Sequence, residues 1–229
     1  SYTPAEGTVS NYTETLKIVG NETRIDRYLT KTQNTNDVKA LQTQMLTKSL
    51  ALDFDKKFFS GDNASNSEEF DGLENRLDSS QVIDGGGDEL TLSEVDSLID
   101  SIKGQNPAAL FVDPAVVRKI SDLVRAQGQA IETVSNQFGQ RLMMYAGVPL
   151  VPCEEDSSGN PVLNDGTSSP SYSMYACKFG PDQVVGLQSG GIEVVERTEH
   201  PFSIISVEWI VSYILAGPKA AARLHNFTV

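Results

Sequence analysis

The sequence predicts an α+β fold, with helices concentrated in the first half of the chain and strands in the second. Three observations support this: a helical apolar pattern over residues 37–60, a strand followed by a helix in residues 108–128, and a series of strand patterns from residue 141 onward. The chain has 229 residues, of which 39% are hydrophobic and 21% are charged. This composition is typical of a globular protein that buries a substantial core.

The front of the chain predicts a β-hairpin over residues 11–31. Two strand-like runs flank Gly20-Asn21, a pair that adopts positive φ readily and is typical of tight turns. Apolar positions are sparse on both runs, and an isolated two-stranded ribbon is only marginally stable in water. We therefore expect the hairpin to lie on another surface, such as that of a neighbouring copy of the chain, which points to self-assembly.

The strongest helical signal covers Asp37–Ser60 and is expected to end at Gly61. Its apolar residues form two adjacent stripes, which are Val38, Leu41, Met45, Leu52 and Phe59 in the first and Leu46, Leu50, Phe54 and Phe58 in the second. Such a broad apolar face predicts a helix that lies across a sheet.

Two further helices are predicted from their N-terminal signals. Thr91 with Glu94 forms a capping box that begins a helix ending at Gly104. Residues 108–112 read as a short buried strand, and Asp113-Pro114 then begins a helix that Gly128 closes. Residues 61–88, in contrast, show little periodicity and are expected to form a long loop.

The second half of the chain predicts six strands separated by turns. They are Arg141–Tyr145, Val148–Val151, Tyr172–Phe179, Gln183–Leu187, Ile192–Thr198 and Phe202–Leu215. The last is long and almost continuously apolar, which favours a central position in a sheet. A polar loop at residues 154–171 interrupts the series and is of the kind that often carries contacts.

Charge and motif content limit the function classes. The formal net charge is −13, and residues 53–100 hold 14 acidic and three basic side chains, which argues against sequence-specific nucleic-acid binding. No Walker A, Gly-x-Gly-x-x-Gly or Gly-x-Ser-x-Gly motif is present, and His200 and His225 are isolated. We therefore predict no cofactor, no metal and no catalytic site, and we expect Cys153 and Cys177 to be reduced thiols packed as small hydrophobes.

Several segments, taken in order, resemble the major capsid proteins of tailed bacteriophages, which have the Hong Kong 97-type fold. Residues 52–62 (LDFDKKFFSGD) with 70–73 (FDGL) resemble the end of that family's spine helix and the following loop. Residues 111–114 (FVDP) and 138–150 (FGQRLMMYAGVPL) resemble its axial domain, while 179–182 (FGPD) and 218–224 (PKAAARL) resemble its C-terminal return.

The resemblance implies a domain organisation along the chain. Residues 1–7 would be an N-terminal arm, 8–33 an extended hairpin loop, 34–104 the peripheral domain with the spine helix and the acidic loop, 105–180 the axial domain, and 181–229 the return strands of the peripheral domain.

The resemblance also implies a structural function. The chain would assemble into pentamers and hexamers of an icosahedral phage head that encloses double-stranded DNA without sequence-specific binding. Scaffolding, portal and decoration proteins would be its further partners, with no membrane, in the virion and, during assembly, in the host cytoplasm. The expected subunit contacts are Lys17, Gly20, Asn21, Glu22, Arg24 and Arg27, and the expected capsomer-centre loop contains Glu154, Glu155, Asp156 and Asn160.

Three other interpretations remain open from the sequence. An encapsulin-type cellular nanocompartment has the same fold, and a groove for a cargo peptide would distinguish it. A soluble α/β enzyme would use the acidic loops and would form only a small oligomer. A secreted binding module is disfavoured because no signal peptide is evident.

Overall fold

A computed structural model describes residues 13–26, 28, 32, 38–104, 106–135, 139, 141–164 and 171–229. In this part of the chain helices and two β-sheets are combined, which confirms the predicted α+β class. The helices are α1 (Val38–Ser60), α2 (Leu73–Arg76), α3 (Leu92–Ser101) and α4 (Pro114–Ala126). Among the described residues, no helix is long and apolar enough to cross a membrane.

Eleven strands are described. They are β1 (Lys17–Asp26), β2 (Val82–Asp84), β3 (Ala109–Val112), β4 (Glu132–Ser135), β5 (Arg141–Tyr145), β6 (Val148–Pro152), β7 (Tyr172–Cys177), β8 (Val184–Gln188), β9 (Glu193–Glu199), β10 (Phe202–Leu215) and β11 (Ala221–Phe227). The smaller sheet has the order β1-β10-β8, with β9 also paired to β10, and the larger has the order β2-β11-β7-β3-β6-β5-β4.

Each sheet has its own apolar core. In the larger sheet, α3 and α4 bury Leu98, Val116 and Ile120 against strand residues such as Leu110 and Met174. In the smaller sheet, the C-terminal half of α1 packs on β10, with an aromatic cluster that includes Phe58, Phe59, Phe70, Tyr175 and Tyr213. Cys177 is buried in this second core and both cysteines are free, as predicted.

The helix signals in the sequence are confirmed at residue level. The Thr91 side chain accepts the Glu94 N–H while the Glu94 carboxylate accepts the Thr91 N–H, which forms the predicted capping box. Asp113 caps α4 by accepting the Ala115 N–H at 2.7 Å. The apolar stripes of α1 are buried only toward its C-terminus, however, because Leu41 and Met45 are more than half exposed.

The predicted hairpin turn at Gly20-Asn21 is wrong. Residues 17–26 form one continuous strand that pairs antiparallel with Phe202–Val211 of β10. The front segment therefore does have a face to bury within its own chain, since Val19 is 2% exposed and Ile25 is 4% exposed. The central position of β10, with β1 on one side and β8 and β9 on the other, is as predicted.

Three short strands were not predicted. β2 lies inside the acidic segment and pairs in parallel with β11, and β4 pairs with β5. β11 lies in the predicted return segment yet pairs with β7 of the segment before it. The larger sheet thus contains strands from three of the predicted segments. The domain limits stay a prediction.

Candidate assembly surface

The candidate assembly surface is a three-stranded ribbon formed by β1, β9 and the first ten residues of β10. β10 is the middle strand: Phe202–Val211 pairs with β1 along one edge, and Phe202–Glu208 pairs with β9 along the other. All seven residues of β9 are exposed and none of them belongs to either core. This end of the ribbon therefore contributes surface and no core packing.

The inner face of the ribbon lies against α1. Because side chains alternate between the faces of a strand, Val19, Asn21 and Ile25 share one face of β1. The Asn21 amide donates hydrogen bonds to the Asp53 carboxylate at 2.8 Å and to the Ser49 hydroxyl at 3.1 Å, both on α1. Farther along, Lys39 of α1 pairs with Glu196 of β9. The helix therefore supports the ribbon from behind.

The outer face carries an exposed apolar surface. Ile18 and Ile210 lie directly opposite each other across β1 and β10, and they are 59% and 37% exposed. Val195 of β9 shares this face, because its partner Ser206 pairs with Glu22 on β1, and it is 47% exposed. Isolated exposed apolar side chains are normal, but several on one strand-paired surface indicate a binding site.

A small charge cluster lies on the same outer face. Arg197 of β9 reaches Glu22 of β1 at 2.9 Å, and Arg24 lies 3.6 Å from the same carboxylate. The paired register places both arginines beside Ile204, which is buried although it faces outward. The three charged groups are exposed, so their pairing contributes little to folding and they remain available to a partner.

Gly20 allows β1 and β10 to approach closely. A Cβ atom at this position would lie 2.9 Å from the Val207 carbonyl oxygen and 3.2 Å from the Glu208 Cγ. A glycine is thus needed here because the two strand backbones approach closely, and it has no role in a turn. Gly20 also lines a groove of about 570 Å³, together with residues that include Lys17, Asn21 and Glu22.

The segment just before β1 is fixed by a partly buried ion pair. Arg76 binds Glu14 through two hydrogen bonds of 2.8 and 3.0 Å, and the Ser212 hydroxyl donates to the same carboxylate at 2.9 Å. Burial raises the pKa of Glu14, but the hydrogen bonds from Arg76 and Ser212 outweigh it, so the pKa lies below its ordinary value. The Arg76 guanidinium also lies over the Tyr213 ring at 4.8 Å.

The predicted subunit-contact residues fall into three groups. Lys17 and Glu22 line the groove and Arg24 lies beside the Glu22 carboxylate, while the Lys17 ammonium donates to the Ser67 carbonyl at 2.6 Å. Gly20 and Asn21 have roles within the chain, as described above. Arg27 lies outside the described residues.

The predicted capsomer-centre loop packs against α1 through Asp156. Asp156 is 5% exposed, pairs with Lys56 of α1 at 2.7 Å, and accepts the backbone N–H groups of Ser158 and Asn160. The Lys56 ammonium, followed by these amides, holds the pKa of Asp156 far below its usual range. Asp156 is therefore not available to a neighbour, whereas Glu154, Glu155 and Asn160 are exposed.

The sequence does not identify the contribution of β9 to the outer face. Val195 and Arg197 lie in the predicted strand Ile192–Thr198, and nothing in the sequence assigns them to this surface. Two features of β9 could have indicated an exposed strand. Four of its seven side chains are charged, and its apolar and charged residues do not alternate strictly. No group of three metal-binding side chains occurs within the described ranges.

Comparisons with known proteins support a shell-forming role. The family model described as SU10 major capsid protein matches residues 2–148. The SrpI encapsulin of Synechococcus elongatus PCC 7942 superposes with a TM-score of 0.74 at 19% identity, covering 93% of this chain and 74% of that one. No curated protein sequence is significantly similar.

Structures from bacteriophages match this chain as well. The structure of Microbacterium phage Oxtober96 matches with a TM-score of 0.65 at 10% identity, over 93% of this chain and 73% of that one. The procapsid of satellite phage P4, solved with its size determination protein Sid, matches with a TM-score of 0.57 at 14% identity, over 100% and 82% of the two chains. At these identities the likeness shows the fold alone.

The fold is therefore the Hong Kong 97-type capsid fold, and its class is that of the major capsid proteins of phage heads. Within that class, the chain belongs to the SU10 major capsid protein family, whose model matches most of its length.

Proposed function

We propose that the chain assembles into pentamers and hexamers of an icosahedral phage head around double-stranded DNA, and that the outer face of the ribbon binds a neighbouring copy. The observation that supports this most directly is the exposure of Ile18, Ile210 and Val195 on one strand-paired face. The role is structural and involves no catalysis.

Typical free energies indicate what the apolar residues and the charged residues of this face each contribute to binding. Fully burying an Ile or Val side chain contributes about 1.5–3 kcal/mol, so these half-exposed residues would gain about 1 kcal/mol each on contact with a neighbour, whereas an exposed ion pair contributes about 0–1 kcal/mol. The apolar residues would therefore supply most of the affinity. Glu22, Arg24 and Arg197 would set the register between copies, because complementary charge affects specificity more than affinity.

The experiment replaces exposed residues so that folding is unaffected. Ile18→Lys combined with Val195→Lys places two charges on the outer face, while Val134→Lys combined with Val229→Lys adds the same charge at two exposed apolar sites elsewhere. We expect the outer-face variant to unfold at the same temperature as the wild type but to give no particles in negative-stain microscopy or size-exclusion chromatography. Shells of normal size from the outer-face variant would refute the role of this face.

The remaining partners belong to the same proposal. Assembly would take place in the host cytoplasm, with scaffolding, portal and decoration proteins as accessory components. The P4 procapsid, which contains the Sid protein, is one example of a capsid of this fold with an accessory protein. Glu154, Glu155 and Asn160 would face the capsomer centre, with Asp156 holding their loop on α1.

An encapsulin-type shell is a second candidate, because this chain shares its fold with the SrpI encapsulin and the fold alone does not separate the two functions. An apolar cavity of about 550 Å³ also lies between α1, β6 and β10, lined by side chains that include Phe58, Phe179 and Trp209. Its presence alone does not separate the two functions, but the particle contents do. Particles that carry nuclease-protected DNA support the phage head, and particles that carry only a packaged protein support the compartment.

A further inference from the structure

A cavity of about 790 Å³ is lined by three lysines from three different segments. Lys103 follows α3, Lys178 follows β7, and Lys219 lies in the connection between β10 and β11. This cavity lies away from the ribbon and shares no lining residue with the groove on the ribbon.

None of the three lysines forms an ion pair with a carboxylate in the described part of the chain. Nine of the described Lys and Arg side chains lie within 4.0 Å of a carboxylate. Among the described residues, the cations without such a partner are Lys17, Lys48, Lys103, Arg118, Arg141, Lys178 and Lys219. Three of these seven therefore converge on one cavity.

Backbone hydrogen bonds hold the three segments together. The Lys103 N–H donates to the Lys219 carbonyl at 3.1 Å, and the Lys178 N–H donates to the Ala220 carbonyl at 2.8 Å. The Lys178 ammonium donates to the Lys103 carbonyl at 3.3 Å. The positions of the lysine backbones are thus set by the fold.

Two polar groups at the cavity are relevant to what it could bind. Asp182 contributes to the wall but forms no ion pair with any of the three lysines. Gln183 also lines the cavity, and its buried side-chain oxygen has no hydrogen-bond partner within the described part of the chain. Because an amide oxygen only accepts hydrogen bonds, it could pair with the hydroxyl of a protonated phosphate ion, whereas phosphate oxygens would be bound by the lysines alone.

We propose that this cavity binds phosphate groups. The three lysines line one cavity, and an anion with two or more negative charges bound there would attract their ammonium groups more strongly than a single carboxylate would. Lysine binds phosphate as a point charge, without the geometric demand of a bidentate arginine, so the site would not read sequence. The phosphate could be a free phosphate ion or the phosphodiester backbone of duplex DNA, and the test distinguishes the two.

The test compares two triple variants of the full chain that change the net charge equally. Lys103→Gln, Lys178→Gln and Lys219→Gln remove the cavity cations, while Lys48→Gln, Arg118→Gln and Arg141→Gln remove three exposed, unpaired cations elsewhere. Binding of a labelled 24-base-pair duplex is measured by fluorescence anisotropy, and binding of inorganic phosphate by calorimetry at constant ionic strength. A Lys103→Gln, Lys219→Gln double variant, which keeps the Lys178 hydrogen bond, is available if the triple variant does not fold.

Counterion release sets the expected size of the effect. Three phosphate contacts predict that wild-type affinity for the duplex falls about 40-fold between 50 and 200 mM salt, and that the cavity variant loses most of this dependence while the control keeps it. Calorimetric phosphate binding that requires the cavity lysines, without duplex binding, also supports the site and assigns it to the free ion.

Three outcomes would overturn the proposal. The first is wild-type protein that binds neither probe, and the second is equal loss of binding in both triple variants, which would reflect net charge alone. The third is a cavity variant that fails to assemble but binds both probes normally, which would make the lysines part of a subunit contact. Because these readouts do not need shells, they are independent of the proposed assembly function.

Discussion

Gly20 allows the backbones of β1 and β10 to pair closely. A Cβ atom there would meet the Val207 carbonyl oxygen at 2.9 Å, which is nearer than ordinary contact. We expect Gly20→Ala to lower the free energy of unfolding by about 1–3 kcal/mol, because two backbones must move apart. Urea denaturation monitored by circular dichroism measures the change.

Gly186 provides the matched control for Gly20. It also lies in a strand paired with β10, but no atom lies within 4 Å of the Cβ position. Gly186→Ala should change the unfolding free energy by no more than about 1 kcal/mol, and in the stabilising direction. Equal stability of the two variants would contradict the close approach.

Glu14 makes stability at the start of β1 depend on pH. Its folded pKa lies below its unfolded value of 4.5, so its contribution is fully present above pH 4.5 and is lost as the pH falls through the folded pKa. We expect Glu14→Gln to lower the free energy of unfolding by about 1–2 kcal/mol at pH 7. The difference from wild type should shrink below pH 4.5, as measured by urea titrations across that range.

A double-mutant cycle tests whether the effect of Glu14→Gln comes from its pairing with Arg76. Arg76→Met removes the cation that binds Glu14 through two hydrogen bonds. If Glu14→Gln costs as much in the Arg76→Met background as in the wild type, the pair is not coupled and the pH effect has another source.

Single residues also show where sequence reasoning meets its limit. Gly20-Asn21 and Ala146-Gly147 look alike as turn dipeptides, yet only the second is a turn, with φ of 49° and 79°. The residue types at a position show only that a turn is tolerated there. They do not show that ten residues of a distant strand, β10, pair with this segment and keep it extended.

At the scale of elements, the loop after β6 depends on a side chain that reaches α1. Asp156 accepts the Ser158 and Asn160 amides and pairs with Lys56. We expect Asp156→Ala to increase hydrogen exchange at these two amides by at least about tenfold, because both lose their acceptor. Glu155→Ala, at an exposed neighbour, should leave both rates unchanged. Unchanged exchange in Asp156→Ala would show that the loop is held by other contacts.

Elements with local signals were predictable, and elements defined by long-range pairing were not. The caps at Thr91 and Asp113 lie within three residues of the groups that they satisfy, so the sequence contains their full explanation. β11, in contrast, was not recognised because Ala221–Phe227 reads as a polar and apolar mixture. Its strand conformation comes from pairing with β7 on one side and β2 on the other.

At the scale of the molecule, the order of motifs was more informative than any one of them. Residues 52–62, 111–114 and 138–150 are individually weak, but their order fixed the class of fold that the structure shows. The assembly surface was harder to predict from the sequence. Its apolar residues Ile18, Val195 and Ile210 are scattered in sequence and meet only through strand register.

Net charge predicts how shell formation responds to salt. Each copy carries a formal charge of −13, so copies repel at neutral pH, whereas the exposed ion pairs of the ribbon contribute about 0–1 kcal/mol each. Raising the ionic strength from about 0.05 to 0.5 M shortens the Debye length to a few ångströms and screens the repulsion, while apolar contacts are retained. Light scattering at pH 7.5 should therefore show faster assembly at high salt. Slower assembly would mean that attraction between opposite charges, and not the exposed face with Ile18 and Val195, dominates the contact between copies.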